Sequence, residues 1–478
     1  MSEELGMTVK KENFNEWYLE VIKKAGMADY SSVSGCMVIR PYAYKIWENI
    51  QEFLNEKFER QGVKNAYFPL FIPERLLKKE AEHVQGFIPE VAWVTEAGSS
   101  ELDEKLAIRP TSETIMYESY AKWIRSWRDL PLKINQWVNT VRWEFKHPVL
   151  FLRTREFLWQ EGHSVFATKE EAEEEVKEML DCYAQAYEEL LAVPMVKGKK
   201  TENEKFAGAD YTLSIETFLP IGKAIQGATS HHLGQNFSKP FEIKFLDKNE
   251  EEKYVWQNSW GFSTRSIGIL AITHGDDKGL IIPPRVAPIQ VVIVPIYYNE
   301  MDKKKVLKAA KNIVKSLKGL SVQIDDREGY TPGFKFNEWE LKGVPLRMEI
   351  GPKDLKKNQA VLVRRDTGKK TPIKTRNLKK EVKRMLEEIQ KNLFERAKKS
   401  IEERTKKVST YDQFKKQIEG NWVVAPWCGS VECEEKIKDE TGAKITNIPF
   451  HLNEKKPEGK CILCGKEAKH VVYFGKSY

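Results

Sequence analysis

The chain has 478 residues, of which 41% are apolar, 31% charged and 11% aromatic, the balance of a folded globular protein rather than of a disordered or disulfide-stapled one. Its 78 basic and 70 acidic side chains leave a net charge of +8 and an isoelectric point near 8.8, which admits a polyanionic partner without requiring one. The polar start over residues 1–6 carries no secretion signal, and the longest apolar runs, such as 289–296, cannot span a bilayer, so a cytoplasmic protein with no membrane contact is expected. At roughly 100–200 residues per domain, the length predicts about three domains.

Over 42–58, Ile46, Ile50, Phe53, Leu54 and Phe58 recur at helical spacing and Gly62 stops the run, which predicts a long amphipathic helix. Residues 66–73 read as a strand in which Pro69 and Pro73 cannot donate to a ladder, so it belongs at an edge or interface. Arg142 and Glu144, two apart on an apolar run, are predicted to share one face of a strand; that face must be wet, ion-paired or occupied by a charged ligand. Thr168 and Glu171 form a capping box ahead of Val176, Met179, Leu180, Tyr183 and Tyr187, which trace one face of a helix ending before Pro194. Asn258 to Arg265 runs through small residues to an arginine, which suits close backbone approach and a phosphate clamp.

After Pro283-Pro284, read as a linker, apolar strands at 289–296, 321–325 and 344–350 surround a Lys-rich helix at 303–318, the pattern of an α/β domain with a largely parallel sheet. A charged helix over about 378–407 follows, its basic content read as a solvated face. In the last segment Cys428 and Cys433, then Cys461 and Cys464, supply the four thiolates of a closed tetrahedral Zn²⁺ site; with no open position its role is structural. Cys36 and Cys182 read as small buried residues.

Taken in order, three of these segments resemble the signature motifs of the class II aminoacyl-tRNA synthetases: the helix and strand over 42–69, Arg142-x-Glu144 with its loop and Phe157, and Gly261 to Arg265 with the stretch holding Gly268. Three further strings, 109–114, 157–163 and 205–210, are similar to segments of prolyl-tRNA synthetases of the archaeal and eukaryotic type, and the likeness runs from Tyr18 to Tyr478. The resemblance implies an α+β catalytic core with a mixed antiparallel sheet over 1–282 and an α/β anticodon-binding domain with its connecting helix over 285–407. A small zinc-binding α+β domain over 408–478, expected to lie remote from Arg142, completes the chain. It further implies a homodimer, with the first motif at the interface, that uses ATP and Mg²⁺ to join L-proline to the tRNA for proline through a prolyl-adenylate.

In that family's arrangement Arg142 bridges the amino acid carboxylate and the α-phosphate, and Arg265 clamps the γ-phosphate with Arg153 assisting. Phe157 stacks on adenine, Thr154 fixes the base through its backbone, and Glu144, Gln226, Thr229 and Ser263 belong to the nucleotide site. Thr111 and Glu113 accept from the proline ammonium, Trp159, His163 and Phe206 enclose its ring, and His231 closes the site. Glu340, Arg347 and Lys353 are the candidates for anticodon contacts. The attacking carboxylate is already ionised, so positioning and charge stabilisation replace a general base. Class II sites hold Mg²⁺ with carboxylates, and Gln226 stands where an acid is expected. Two rivals are weighed against this reading. A non-catalytic, tRNA-binding paralogue would typically lose its paired arginines, yet Arg142, Arg153 and Arg265 are all present. The second keeps a class II enzyme but changes its amino acid to threonine, glycine, serine or histidine; threonine enzymes bind zinc inside the catalytic pocket, whereas the four cysteines follow the anticodon domain.

Overall fold

A computed structural model describes residues 6–83, 90–144, 147–455 and 457–478. Helix Pro41–Arg60 opens on a proline, whose missing N–H costs nothing in a first turn, and buries Ile46, Trp47, Ile50, Leu54 and Phe58. Each such side chain contributes about 1.5–3 kcal/mol on leaving water. They share one core with Met179 and Tyr183 of helix Lys169–Gln185 and with Trp260 and Phe262 of strand Trp256–Ser263. That second helix starts at the predicted capping box: Glu171 N–H donates to Thr168 Oγ1 at 3.3 Å, and Thr168 N–H donates to Glu171 Oε2 at 3.1 Å. A π-helical turn, Ala186–Leu190, carries it to its end ahead of Pro194.

The helices cover a sheet whose catalytic half runs Val196–Lys199, Tyr211–Leu219, Lys223–Gly234, Trp256–Ser263, Glu156–Phe166 and Leu132–Val141, antiparallel throughout. Gly162 lies opposite Trp260 in this ladder, and a Cβ there would sit 2.1 Å from the indole, so only glycine admits that ring into the core. Beyond Val196–Lys199 the same sheet continues through Lys444–Pro449, His470–Gly475, Trp422–Trp427 and Thr405–Lys407. Ile448 pairs with Lys199 and Pro449 with Gly198. The C-terminal region therefore extends the catalytic sheet.

Other expectations need correction. The strand over 66–73 shrinks to Phe71–Pro73, at the edge of a three-stranded sheet, because Phe68 N–H turns aside to Gln136 Oε1 at 3.2 Å. Arg142 lies just past the end of strand Leu132–Val141 and Glu144 in the turn that follows, so their side chains do not share a strand face. The helix from Leu378 ends at Arg404, and Thr405–Lys407 is strand.

The second sheet, ordered Val322–Ile324, Val291–Pro295, Leu346–Ile350, Gln359–Arg364 and Lys370–Lys374, is mixed rather than largely parallel: its first two pairings are parallel and its last two antiparallel. Lys370–Lys374, polar and holding Pro372, carries little strand signal, although Asp366-Thr367-Gly368 between it and Gln359–Arg364 is an adequate hairpin signal. This body docks on the core through Arg365, whose guanidinium grips Asp276 at 2.6 and 2.9 Å, and through Leu280 N–H on Leu341 O at 2.9 Å. Pro283 and Pro284 are buried at that junction.

Candidate active site

A cavity of about 290 Å³ opens on the catalytic half of the sheet. Phe157, Trp159, Glu161 and His163 line it from alternate positions of strand Glu156–Phe166, as the two-residue period of a strand requires. Thr111 and Glu113 enter at the start of helix Glu113–Trp123, Gln226, Thr229 and His231 from strand Lys223–Gly234, Ser263 from the end of its strand, and Arg265 from the first position of helix Arg265–His274. Phe206 and Arg142 complete the group.

One end of the cavity is a buried acid–base network. Thr111 Oγ1 sits 2.5 Å from Glu113 Oε2 and 2.7 Å from Glu161 Oε1, yet a hydroxyl has one proton to give. Glu161 has other donors, Ser112 N–H at 2.8 Å and His163 Nε2 at 3.2 Å, so Glu113 is the carboxylate short of hydrogen-bond donors. Burial would raise Glu161, but the bonds from His163, Ser112 and Thr111 hold it down at about 2. Burial lifts Glu113 above the usual carboxylate range, with His163 opposing and Glu161 adding to the lift. For His163 burial works against the charge, but the bond to Glu161 and the fields of both carboxylates raise it above an ordinary imidazole. Burial, with His163 and Arg142 nearby, drives His231 down to about 3, so its ring is neutral.

The other end is aromatic and cationic. Arg142 Nε donates to Pro110 O at 3.0 Å, and its guanidinium lies 5.3 Å from the Trp159 ring and 5.7 Å from that of Phe157. Arg265 Nε reaches Leu152 O at 3.4 Å. Glu144, Arg153 and Thr154 stay outside the lining: Glu144 is exposed in its turn, Thr154 is buried, and Arg153 donates to the main-chain oxygen of Tyr478. Sequence reasoning passed over Glu161, Glu204, Thr212 and Ser259, which also line the cavity. Glu161 was findable from its alternation with Trp159 and His163, and Ser259 from its alternation with Gly261 and Ser263 in the 258–265 segment; Glu204 and Thr212 carry no such signal.

Farther along the chain, Glu340 and Arg347 line one small cleft with Trp339, Arg364 and Arg365. Glu340 accepts from Lys278 at 3.1 Å, and Arg347 is held by Glu349 at 3.0 Å with its guanidinium 4.3 Å from the Phe336 ring. Lys353 is exposed in helix Pro352–Lys356, outside that cleft. In the C-terminal region the sulfurs of Cys428, Cys433, Cys461 and Cys464 all lie within 4.8 Å of one another, with 3.6 Å between Cys428 and Cys464. Tetrahedral Zn–S bonds of about 2.3 Å set sulfurs roughly 3.8 Å apart, so the residues fit Zn²⁺.

Comparison with known proteins matches three family descriptions along the chain: the tRNA synthetase class II core domain (G, H, P, S and T) over 93–274, an anticodon binding domain over 290–385, and the prolyl-tRNA synthetase C-terminal domain over 411–478. The chain is 51% identical to a cytoplasmic proline–tRNA ligase of Arabidopsis thaliana, over 99% of this chain and 91% of that protein. It is likewise 51% identical to a proline–tRNA ligase of Natranaerobius thermophilus, over 99% of this chain and 98% of that one. With a bifunctional glutamate/proline–tRNA ligase of Mus musculus it shares 50% identity over 99% of its own length, which spans 33% of the mouse protein.

Proposed function

This chain belongs to the prolyl-tRNA synthetases, and from that membership we propose how its cavity performs the ligation of proline to tRNA. The single observation that carries the reading is Glu113, a buried carboxylate with Thr111 beside it and no full set of donors. A secondary ammonium supplies the missing hydrogens, and the aromatic walls of Trp159 and Phe206 receive the apolar ring to which it is fused.

With the ammonium on Glu113 and Thr111, the proline carboxylate points to Arg142, whose fork also reaches the α-phosphate of ATP stacked on Phe157. The carboxylate oxygen attacks phosphorus in line, the bond to the β-phosphate oxygen breaks, and pyrophosphate leaves with Arg265 neutralising its charge. Arg153 is proposed to assist by exchanging Tyr478 for phosphate. A ribose hydroxyl of the tRNA then attacks the adenylate carbonyl and AMP departs. Glu144, Thr154, Gln226, Thr229 and Ser263 are proposed to shape the nucleotide side.

The lining does not fit a carboxylate cage for Mg²⁺. Of its acids, Glu113 is given to the ammonium in this reading, Glu161 is engaged by Thr111, Ser112 and His163, and Glu204 by Lys444, while Glu216, opposite Gln226 in the ladder, is bound by Lys200 at 2.6 Å. The ion is proposed to enter on the ATP phosphates. Zn²⁺ on the four cysteines braces the C-terminal fold. Glu340, Arg347 and Lys353 are proposed to read anticodon bases, with Arg347 leaving Glu349 to do so. Helix Pro41–Arg60 and the edge strand Lys64–Asn65, flanked by exposed Tyr44 and Tyr67, are the proposed homodimer surface. Among the described residues no helix is long and apolar enough to cross a membrane, and the name of the Arabidopsis relative supports a cytoplasmic location.

Threonine as substrate, with zinc in the pocket, would need Glu113, Glu161 and His163 as ligands, the one cluster there with metal-binding atoms among the described residues. Their mutual hydrogen bonding with Thr111 and Ser112 opposes that use. An amino acid panel in ATP–pyrophosphate exchange tests the reading: proline is expected to stimulate exchange most strongly, and preference for threonine or another amino acid would sink it.

A further inference from the structure

The loop over 201–210 brings Glu204 and Phe206 to the cavity. The Phe206 ring lies 4.8 Å from that of His231, and its N–H donates to Thr212 Oγ1 at 2.9 Å. The far end of the loop is stitched to the catalytic domain by Asp210 N–H on His232 O at 2.8 Å and by Asn236 Nδ2 on Gly208 O at 2.9 Å.

The near end is held by the C-terminal region instead. Thr201, 2% exposed, donates its hydroxyl to Glu434 Oε1 at 2.8 Å, and Glu434 is itself 4% exposed. Lys444 Nζ lies 2.9 Å from Glu204, and Lys200, one residue ahead of the loop, donates to Thr446 O at 2.7 Å. Inside the loop the carbonyl of Thr201 accepts from Lys205 N–H at 2.9 Å and Glu204 N–H at 3.2 Å, so the seat of Thr201 sets the turn that delivers Phe206. Burying a carboxylate costs several kcal/mol unless it holds a donor, and Thr201 is the side-chain donor Glu434 holds.

We propose that Glu434 is a positioning residue for amino acid binding: by clasping Thr201 it fixes the 201–210 loop and holds Phe206 against the ring end of the cavity. The inference rests on the reading of that end as the proline pocket. The clasp acts on one substrate only. Arg142, Phe157 and Arg265, at the nucleotide end, are set by other segments and do not depend on the loop.

The test uses the full-length enzyme in proline-dependent ATP–pyrophosphate exchange, with amide hydrogen exchange on the loop. In Glu434→Ala the KM for proline should rise about tenfold, the scale of one buried hydrogen bond, while kcat and the KM for ATP stay within about twofold. Glu434→Gln keeps an oxygen that accepts from Thr201 and should restore the parental KM; Thr201→Val should reproduce Glu434→Ala, and the double variant should be no worse than either. Amides over 202–209 should exchange faster in Glu434→Ala with the rest of the sheet protected. Faster loop exchange with an unchanged KM for proline would overturn the proposal. So would a joint change of both KM values and kcat that Glu434→Gln does not rescue, since that marks general destabilisation. A parental enzyme without proline-dependent exchange overturns the pocket reading itself, and the inference with it, before any variant is made.

Discussion

The C-terminal region adds strands to the catalytic sheet through Ile448 on Lys199 and Pro449 on Gly198, whereas the anticodon-binding domain keeps a sheet of its own and docks through contacts such as Arg365 on Asp276 and Gln390 Nε2 on Glu189 O at 2.9 Å. A shared ladder fixes register over its whole length, so displacing one strand displaces the next. A dock of side-chain contacts and a few isolated backbone hydrogen bonds transmits less, since each contact tolerates small shifts and re-forms. The cavity should therefore sense the state of the C-terminal region and be nearly indifferent to base contacts in the anticodon-binding domain.

The scale is set inside the cavity. Arg142→Ala removes the fork proposed to join carboxylate and α-phosphate, and proline-dependent exchange should fall on the order of a hundredfold or more; exchange at the parental rate would remove Arg142 from that role. Next comes Cys461→Ser. A closed four-thiolate site contributes roughly 10 kcal/mol to local folding, so this variant should lose the zinc proposed there, measured by elemental analysis, and unravel strands that abut the 196–199 strand. Roughly tenfold slower exchange is expected, and full activity in a zinc-free protein would break the comparison.

Arg347→Ala should separate the two attachments. Loss of a bidentate base contact costs about 1–3 kcal/mol, so aminoacylation of tRNA should drop roughly tenfold or more while tRNA-independent exchange is unchanged. A matching fall in exchange would show that the dock transmits after all. The smallest effect is a pH shift that neither region controls. Glu113 must be ionised to hold the ammonium, and burial raises it, so kcat/KM for proline should decline as pH falls through a value above the usual carboxylate range. His163 opposes that rise, so His163→Gln should move the acid limb to higher pH; a shift the other way would contradict the network.

The sequence by itself determined the local and periodic features of this protein. The capping box at Thr168 and Glu171, the helical stripe from Ile46 to Phe58 and the paired cysteines are set by neighbours in the chain, and the structure holds each in place. Trp159 and His163 came from the family resemblance; strand Glu156–Phe166 sets them on one face with Glu161 between them. Only the tertiary structure decided what depends on distant segments. It set Arg142 beyond its strand, where Pro110 holds the guanidinium, and brought Thr111 between Glu113 and Glu161, leaving one proton for two carboxylates. It also carried Glu434 across 233 residues of chain to Thr201. Burial and hydrogen-bond supply at those sites come from the packing of remote elements, and no periodicity in the sequence encodes them.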